Sequence, residues 1–314
     1  MTDNQGQWER GVLEKLATEA LNEQRRARKW GIFFKLLFFA YLTVIILLMV
    51  DWQAIGEARG KHTALVDISG VIAPGTDASA DRVTAALQAA FESKNTQGVV
   101  VRINSPGGSP VQSQIIYDEM RRLRKKYPKI PLYVVAEDLC ASGGYYVAAA
   151  ADKIYVSRSS IIGSIGVRMD GFGFTGLMEK LGIERRLLTS GDNKAMLDPF
   201  SPLEERHQRY AQQLMDEVHR QFIAAVREGR GKRLKETPDI FSGLIWSGEK
   251  SIELGLADGY GTLDQVARDV IKAEDIVDYT EKENLAEKLA RRFGGGVASS
   301  LADYALRAGP SALR

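Results

Sequence analysis

The longest apolar run in the chain comes early. GIFFKLLFFAYLTVIILLMV, Gly31 to Val50, holds one charge, Lys35, and has the length needed to cross a bilayer as a helix. Ahead of it, Leu13, Ala17 and Leu21 recur at helical spacing among polar residues, and the segment ends in RRARK, Arg25 to Lys29. Positive charge just before an apolar span orients the N-terminus to the cytoplasm, so everything from Asp51 onward is expected on the far side. A cleaved leader has a shorter apolar core, and a buried helix is rarely apolar on every face over five turns. The reading is therefore one anchor and no second span.

From about Lys61 short apolar runs alternate with amphipathic ones. TALVDISGVIA (Thr63–Ala73), GVVVRI (Gly98–Ile103), PLYVVAE (Pro131–Glu137) and KIYVS (Lys153–Ser157) read as strands. ADRVTAALQAAFES (Ala80–Ser93), QSQIIYDEMRRLRKKY (Gln112–Tyr127), Gly143–Ala151 and a long stretch from Pro202 to Arg227 read as helices. Strands apolar on both faces, alternating with helices, predict an α/β fold with a parallel sheet covered by helices. WSGEKSIELGLADGYGTLDQVARDVI adds a helix, a turn and a helix. The expected division is a cytoplasmic segment over 1–30, a transmembrane helix over 31–50, a linker over 51–62, a catalytic domain over 63–281 and a mobile tail over 282–314.

Composition narrows the function. A net charge of +2 gives no electrostatic case for nucleic acid. One cysteine, Cys140, forbids an intrachain disulfide. His62, His207 and His219 lack the spacing of metal ligands, so no His-based zinc site is expected, and the serine–lysine chemistry considered below needs no metal or cofactor.

Ligands of parallel α/β sheets sit beyond the carboxyl ends of the strands. Two glycine loops leave strands at that edge: NSPGGSP (Asn104–Pro110) and DLCASGG (Asp138–Gly144). Gly107, Gly108 and Gly143 allow backbone N–H groups to come close to a bound group, and two such donors aimed at one oxygen make an oxyanion hole. Ser142 then reads either as the N-cap of an alanine-rich helix or as a nucleophile. A nucleophilic serine needs a base. His207 and His219 sit among charged residues of the long helix and read as solvated, which argues against a Ser–His–Asp triad. A lysine serves if burial favours its neutral form. Lys194, in LLTSGDNKAMLDPFSP, follows what reads as an apolar strand and adjoins Ala195, Met196 and Leu197; an ordinary loop lysine is the competing reading.

The ordered set VRINSPGG, CASGGYYVAAAADKIYVS, IIGSIGV, SGDNKAMLDPFSP and WSGEKSIELGLADGYG resembles the bacterial signal-peptide peptidases, membrane-anchored Ser–Lys peptidases of the Clp-protease/crotonase superfamily. The resemblance runs from about Ala64 to Val270. It implies a Clp-protease/crotonase-like α/β fold behind one N-terminal transmembrane helix. It implies Ser142 as nucleophile, Lys194 as general base and Ser164 as the hydroxyl that orients the lysine. The oxyanion hole falls to Gly143 and the SPGG glycines, Gly108 ahead of Gly107. Around the lysine the sequence departs from the family's Gly-x-Tyr/Phe-Lys-Ser, reading Gly191-Asp-Asn-Lys-Ala. The implied partners are hydrophobic peptides such as cleaved signal peptides, the membrane, and further copies of the chain in a homo-oligomer. The implied location is the bacterial inner membrane with the catalytic domain outside the cytoplasm. Two other functions fit the same motifs: a crotonase-like acyl-CoA enzyme, and an inactive membrane scaffold. The tail, GGGVASSLADYALRAGPSALR, resembles a signal-peptide cleavage region, and entry into an active site competes there with simple disorder.

Overall fold

A computed structural model describes residues 23–26, 28–44 and 60–281. Residues 28–44 are helical, with large apolar side chains such as Phe33, Leu36, Phe39 and Tyr41 exposed. This helix covers Gly31 to Val44 of the expected span, while 45–50 lie outside the described residues, as do the linker to Ala58 and Arg59 and the tail from 282. Among the described residues no helix is long and apolar enough to cross a membrane. The described residues 60–281 belong to one compact unit.

That unit is an α/β fold around an eight-stranded sheet. Strands β1 (His62–Ser69), β2 (Thr96–Ser105) and β3 (Leu132–Ala141) lie side by side and parallel. Their even-numbered or odd-numbered apolar positions, Val66, Ile68, Val99, Val101, Ile103 and Val134, are fully buried under helices α1 (Ala80–Glu92), α2 (Pro110–Lys126) and α3 (Gly143–Ala148). Helix α1 presents Val83, Ala86, Leu87, Ala90 and Phe91 to this core, the stripe a 3.6-residue period produces. The opposite face carries a smaller cluster of Val100, Val135 and Val266, with Tyr133, Tyr155 and Ile271 packed against it. The near-continuous apolar strands follow from burial on both sides.

Strand β3 forks, and the fork creates the site. Its first half, Tyr133–Ala136, pairs with β4 (Lys153–Val156). Its last residues, Leu139–Ala141, pair instead with β5 (Ile161–Gly163). The break falls at Glu137–Asp138, opposite a register shift between Ile103 and Ser105 of β2. Strand β6 (Ile245–Ser247) adds antiparallel to β5, and β8 (Ile276–Asp278) closes the other edge beside β1. Strand β7 (Gly259–Tyr260) pairs with β4. The further described helices are α4 (Thr175–Lys180), α5 (Glu205–Arg230), which a 3-10 turn follows at Gly231–Arg233, α6 (Gly248–Glu253) and the short α7 (Leu263–Gln265), which runs on as a π-helical turn over Val266–Ile271.

Two sequence readings change here. The expected strand before Lys194 is absent: residues 184–190 have no regular structure, and Leu188 is 96% exposed. The histidines of α5 are not solvated. His207 is buried, and His219 is partly buried with Nε2 3.1 Å from the Ile165 carbonyl.

Candidate active site

Ser142 stands where β3 ends and α3 begins. It occupies the N-cap position, yet its side chain makes no capping hydrogen bond. Its backbone lies at φ 51°, ψ −123°, a region costly to a residue with a Cβ. Two backbone bonds hold it there: its N–H donates to the Gly163 carbonyl at 2.8 Å, and its carbonyl accepts from Tyr146 N–H at 2.9 Å. The side chain is half-buried at the surface of an otherwise buried turn, since Gly143 through Ala151 are all buried. The hydroxyl is therefore not spent on capping the helix. The neighbouring thiol offers no competitor. Cys140 is fully buried, and burial pushes its pKa well above the usual thiol range, so it stays protonated and inert.

The two glycine loops meet beside this serine. A Cβ added at Gly107 would lie 2.4 Å from Gly143 N and 2.8 Å from Ser142 Cβ. One added at Gly143 would lie 3.2 Å from Gly108 N. The N–H groups of Gly108 and Gly143 are therefore neighbours, next to Ser142. Gly143 is the first residue of α3, so its N–H has no carbonyl a turn behind it. Gly108 sits at a parallel bridge to Ile72, in which Ile72 N–H donates to Gly107 O (2.9 Å) and Ser109 N–H donates to Ile72 O (2.8 Å). Across a trans peptide the C=O and N–H point in opposite directions. With Gly107 O aimed at Ile72, Gly108 N–H points away from it. Gly107 behaves differently from its neighbour, because its own N–H donates to Ser105 Oγ at 3.0 Å. Of the three glycines named from the sequence, Gly108 and Gly143 thus present donors, and Gly107 supplies clearance at φ 94°.

Ser164 also reaches the site. The β3–β5 register pairs Ala141 with Gly163, which makes Ser142 and Ser164 the next neighbours along the two strands. Ser164 shares the unusual backbone, at φ 50°, and its N–H donates to Leu244 O at 2.8 Å.

Lys194 lies elsewhere within the chain. It is exposed, in a turn whose N–H donates to Gly191 O at 3.1 Å. Its neighbour Asn193 places Oδ1 3.2 Å from His207 Nε2, at the start of α5. His219, on the same helix, contacts Ile165, the residue after Ser164. Twelve residues separate the two histidines, an axial distance of about 18 Å. The turn carrying Lys194 and the strand end carrying Ser142 and Ser164 are thus held to different stretches of α5. Asp198, which the sequence sets near Lys194, is already taken: Arg185 pairs with it at 3.1 Å and Ser201 Oγ donates to it at 2.6 Å.

Sequence reasoning missed one hydroxyl at this site, that of Ser113, and named Ser105 only as a rival nucleophile to Ser142. Ser113 Oγ occupies the space a Gly143 side chain would need, 2.4 Å from that added Cβ. Ser105, fully buried, contacts both loops. Ser105 is visible in SPGG itself, but its partner Gly70 is 35 residues away in sequence. Among the described residues no group of His, Cys, Asp and Glu side chains is placed to hold a metal ion.

The comparisons with known proteins point the same way. The model of peptidase family S49 matches residues 124–276, and that of the Clp proteases matches residues 65–162. A Synechocystis chain that bears a protease name, slr0021, is 35% identical over 204 residues, 64% of this chain and 70% of that one. A chain from Enterococcus faecium bearing the name signal peptide peptidase SppA is 32% identical over 189 residues, 60% of this chain and 54% of its own. A Brucella melitensis chain named as the Na(+)/H(+) antiporter NhaA is 46% identical over 177 residues, 56% of this chain but 24% of its own length. The chain belongs to peptidase family S49. It spans only part of the length of several of these relatives, from about a quarter to just over half for two of the three.

Proposed function

We propose that the chain is a membrane-anchored serine endopeptidase that hydrolyses hydrophobic peptides, cleaved signal peptides among them, with Ser142 as nucleophile and Lys194 as general base. The observation that carries this reading is the convergence of the Gly108 and Gly143 N–H groups beside a serine whose hydroxyl is not used as a helix cap. In the reaction Ser142 Oγ attacks the peptide carbonyl and gives its proton to the lysine amine. The carbonyl oxygen, now an oxyanion, accepts hydrogen bonds from the two N–H groups. The lysine returns the proton to the leaving amine, and water releases the acyl group from Ser142. Ser164, beside Ser142 in the strand register, orients the amine.

Lys194 is separated from Ser142 along α5, so on this reading the base comes from a neighbouring copy in a homo-oligomer. The segment bearing Lys194 supports that assembly. Phe172, Leu177, Leu181, Ile183, Leu188 and Leu203 are all more than half exposed on it, and apolar surface of this extent marks an association face. Membrane attachment through Gly31–Val50 is supported by an apolar sequence with the single charge Lys35 and by the exposed apolar side chains of the described part, 31–44. The basic RRARK ahead of that span supports a catalytic unit outside the cytoplasm.

The direct test is covalent labelling of the full-length chain with a fluorophosphonate, together with hydrolysis of a chromogenic peptide of small apolar residues. Ser142→Ala is expected to abolish labelling and to lower kcat by at least about a thousandfold. Labelling retained at Ser109, or full hydrolysis by the variant, would remove Ser142 from the role.

A further inference from the structure

We propose that Ser105 is a positioning residue that sets the oxyanion hole by fixing the peptide planes of the SPGG loop; the inference rests on the reading of Ser142, Gly108 and Gly143 just given. Ser105 ends β2, where the register with β3 shifts and Ser105 comes opposite Cys140. Its side chain is fully buried. The hydroxyl is used twice: it donates to Gly70 O at 2.6 Å and accepts from Gly107 N–H at 3.0 Å. Gly70 is itself tied to the same strand end, its N–H donating to Asn104 O at 2.9 Å. One hydroxyl thus joins the end of β1, the end of β2 and the first glycine of the loop.

The consequence lies one peptide further on. Gly107 is held at its N–H by Ser105 and at its carbonyl by Ile72. Those two bonds fix both peptide planes that meet at Gly107. The second plane carries Gly108 N–H, on the side opposite Ile72 and toward Gly143. Neither glycine resists rotation by itself, since φ 94° and φ 152° are open to any residue lacking a Cβ. The donor direction therefore depends on the two hydrogen bonds. Ser105 also touches the other half of the hole: a Cβ at Gly144 would lie 3.1 Å from Ser105 O and 3.4 Å from Ser105 Cβ, so α3 and the loop pack on the same residue. This use of the hydroxyl also excludes Ser105 as an alternative nucleophile, because its proton already serves Gly70 and its oxygen is buried.

An oxyanion donor acts mainly in the transition state, so its displacement lowers kcat and spares substrate binding. The test compares Ser105→Ala and Ser105→Thr in the full-length chain, with rates taken per active site by fluorophosphonate titration and folding followed by thermal melting. In Ser105→Ala, kcat is expected to fall about 10- to 100-fold, a fraction of the loss on removing a donor outright, with KM within about twofold. Affinity for a peptide boronate, whose tetrahedral adduct uses the same hole, is expected to fall in parallel, while affinity for the uncleaved peptide on a Ser142→Ala background stays constant. Ser105→Thr, which keeps Oγ, is expected to recover most of kcat. A folded Ser105→Ala chain with wild-type kcat, or a loss carried by KM alone, overturns the proposal. Should Ser142→Ala itself retain hydrolysis, the nucleophile assignment fails, and that result is read on a different variant.

Discussion

A Cβ decides the chemistry at the residue scale. Ser142 accepts an unfavourable backbone because both of its backbone groups are bonded, and Gly143 is glycine because Ser113 Oγ and Gly108 N stand where its side chain would go. Gly143→Ala therefore creates two separable faults. The clash with Ser113 Oγ is overpacking, expected to cost about 1–3 kcal/mol of stability. The methyl group beside Gly108 N fills the space an oxyanion would use, and kcat is expected to fall by about a hundredfold or more. Ser113→Ala combined with Gly143→Ala separates them: the melting temperature recovers and the activity does not. Recovery of both would mean that the space between the two N–H groups is not where the reaction occurs. Ser142 and the two glycine loops were legible in the sequence because small residues after apolar strands are an unusual pattern. Ser113 was not, and Ser105 was legible only as a rival nucleophile, because each acquires its role here from a chain segment remote in sequence.

At the scale of elements, the site depends on a lock beneath α3. Arg230, at the end of α5 and fully buried, donates from Nε to Gly255 O and from Nη1 to Asp258 Oδ2, each at 2.8 Å. Asp258 also accepts from Ile154 N–H of β4 at 2.7 Å and from Arg233 at 3.0 Å. Between them, the Leu256 carbonyl receives the Tyr145 hydroxyl of α3 at 2.8 Å. The helix that starts at Ser142 is thereby tied to α5, β4 and the turn after α6. Arg230→Met removes one partner of a buried pair, and a loss of about 3 kcal/mol in urea unfolding is expected; a loss under about 0.5 kcal/mol would show that Arg233 alone suffices. Burial pushes the Asp258 carboxyl upward, but the hydrogen bond and charge of Arg230, the Ile154 N–H and Arg233 outweigh it and hold it below the usual carboxylate range. A depressed acid stabilises the fold fully above its unfolded value, near 4, and this contribution fades as pH falls through the folded value. Asp258→Asn is thus expected to be less stable than wild type at pH 7, with the gap narrowing below about pH 4. A constant gap across that range would exclude ionisation of Asp258 as its source.

The same scale shows why some elements escaped the sequence. Strands β5, β6 and β8 have three residues each and β7 has two, too short for a period to register. One of them, β5, nevertheless forms the arm of the fork that sets the backbone of Ser164 beside that of Ser142. The histidines of α5 were misjudged from their charged neighbours, although spacing held the answer. His207, Ala211, Met215, Val218, Phe222 and Val226 recur every three or four residues, and the structure buries or half-buries all of them. The apolar residues before Lys194 were read as a strand because apolar residues near a motif suggest a core. Within the single chain they form surface.

On the scale of the whole molecule, that surface and the position of Lys194 lead to one prediction about assembly. The segment from Phe172 to Ser201 is closed upon itself: Phe174 N–H donates to Pro199 O at 2.7 Å, Phe174 stacks on Phe200 at 5.4 Å, and Arg185 bridges to Asp198 at 3.1 Å. It can therefore present Lys194 as a formed unit to a second copy, where association would remove both the apolar side chains and the lysine from water. Desolvation favours the neutral amine that a base requires. If the nucleophile of one chain is served by the lysine of another, two inactive variants complement each other. Ser142→Ala and Lys194→Ala chains, each expected to hydrolyse the apolar peptide at least about a thousandfold more slowly than wild type, are dissociated, mixed and reassembled. The mixed oligomer is expected to regain a substantial part of the wild-type rate, because some sites combine an intact Ser142 from one chain with an intact Lys194 from the next. Wild-type protein treated in the same way supplies the reference, and dilution below the assembly range should silence it. If the mixture stays inactive while reassembled wild type works, the base acts within its own chain, and the association of copies is not what brings Lys194 to Ser142.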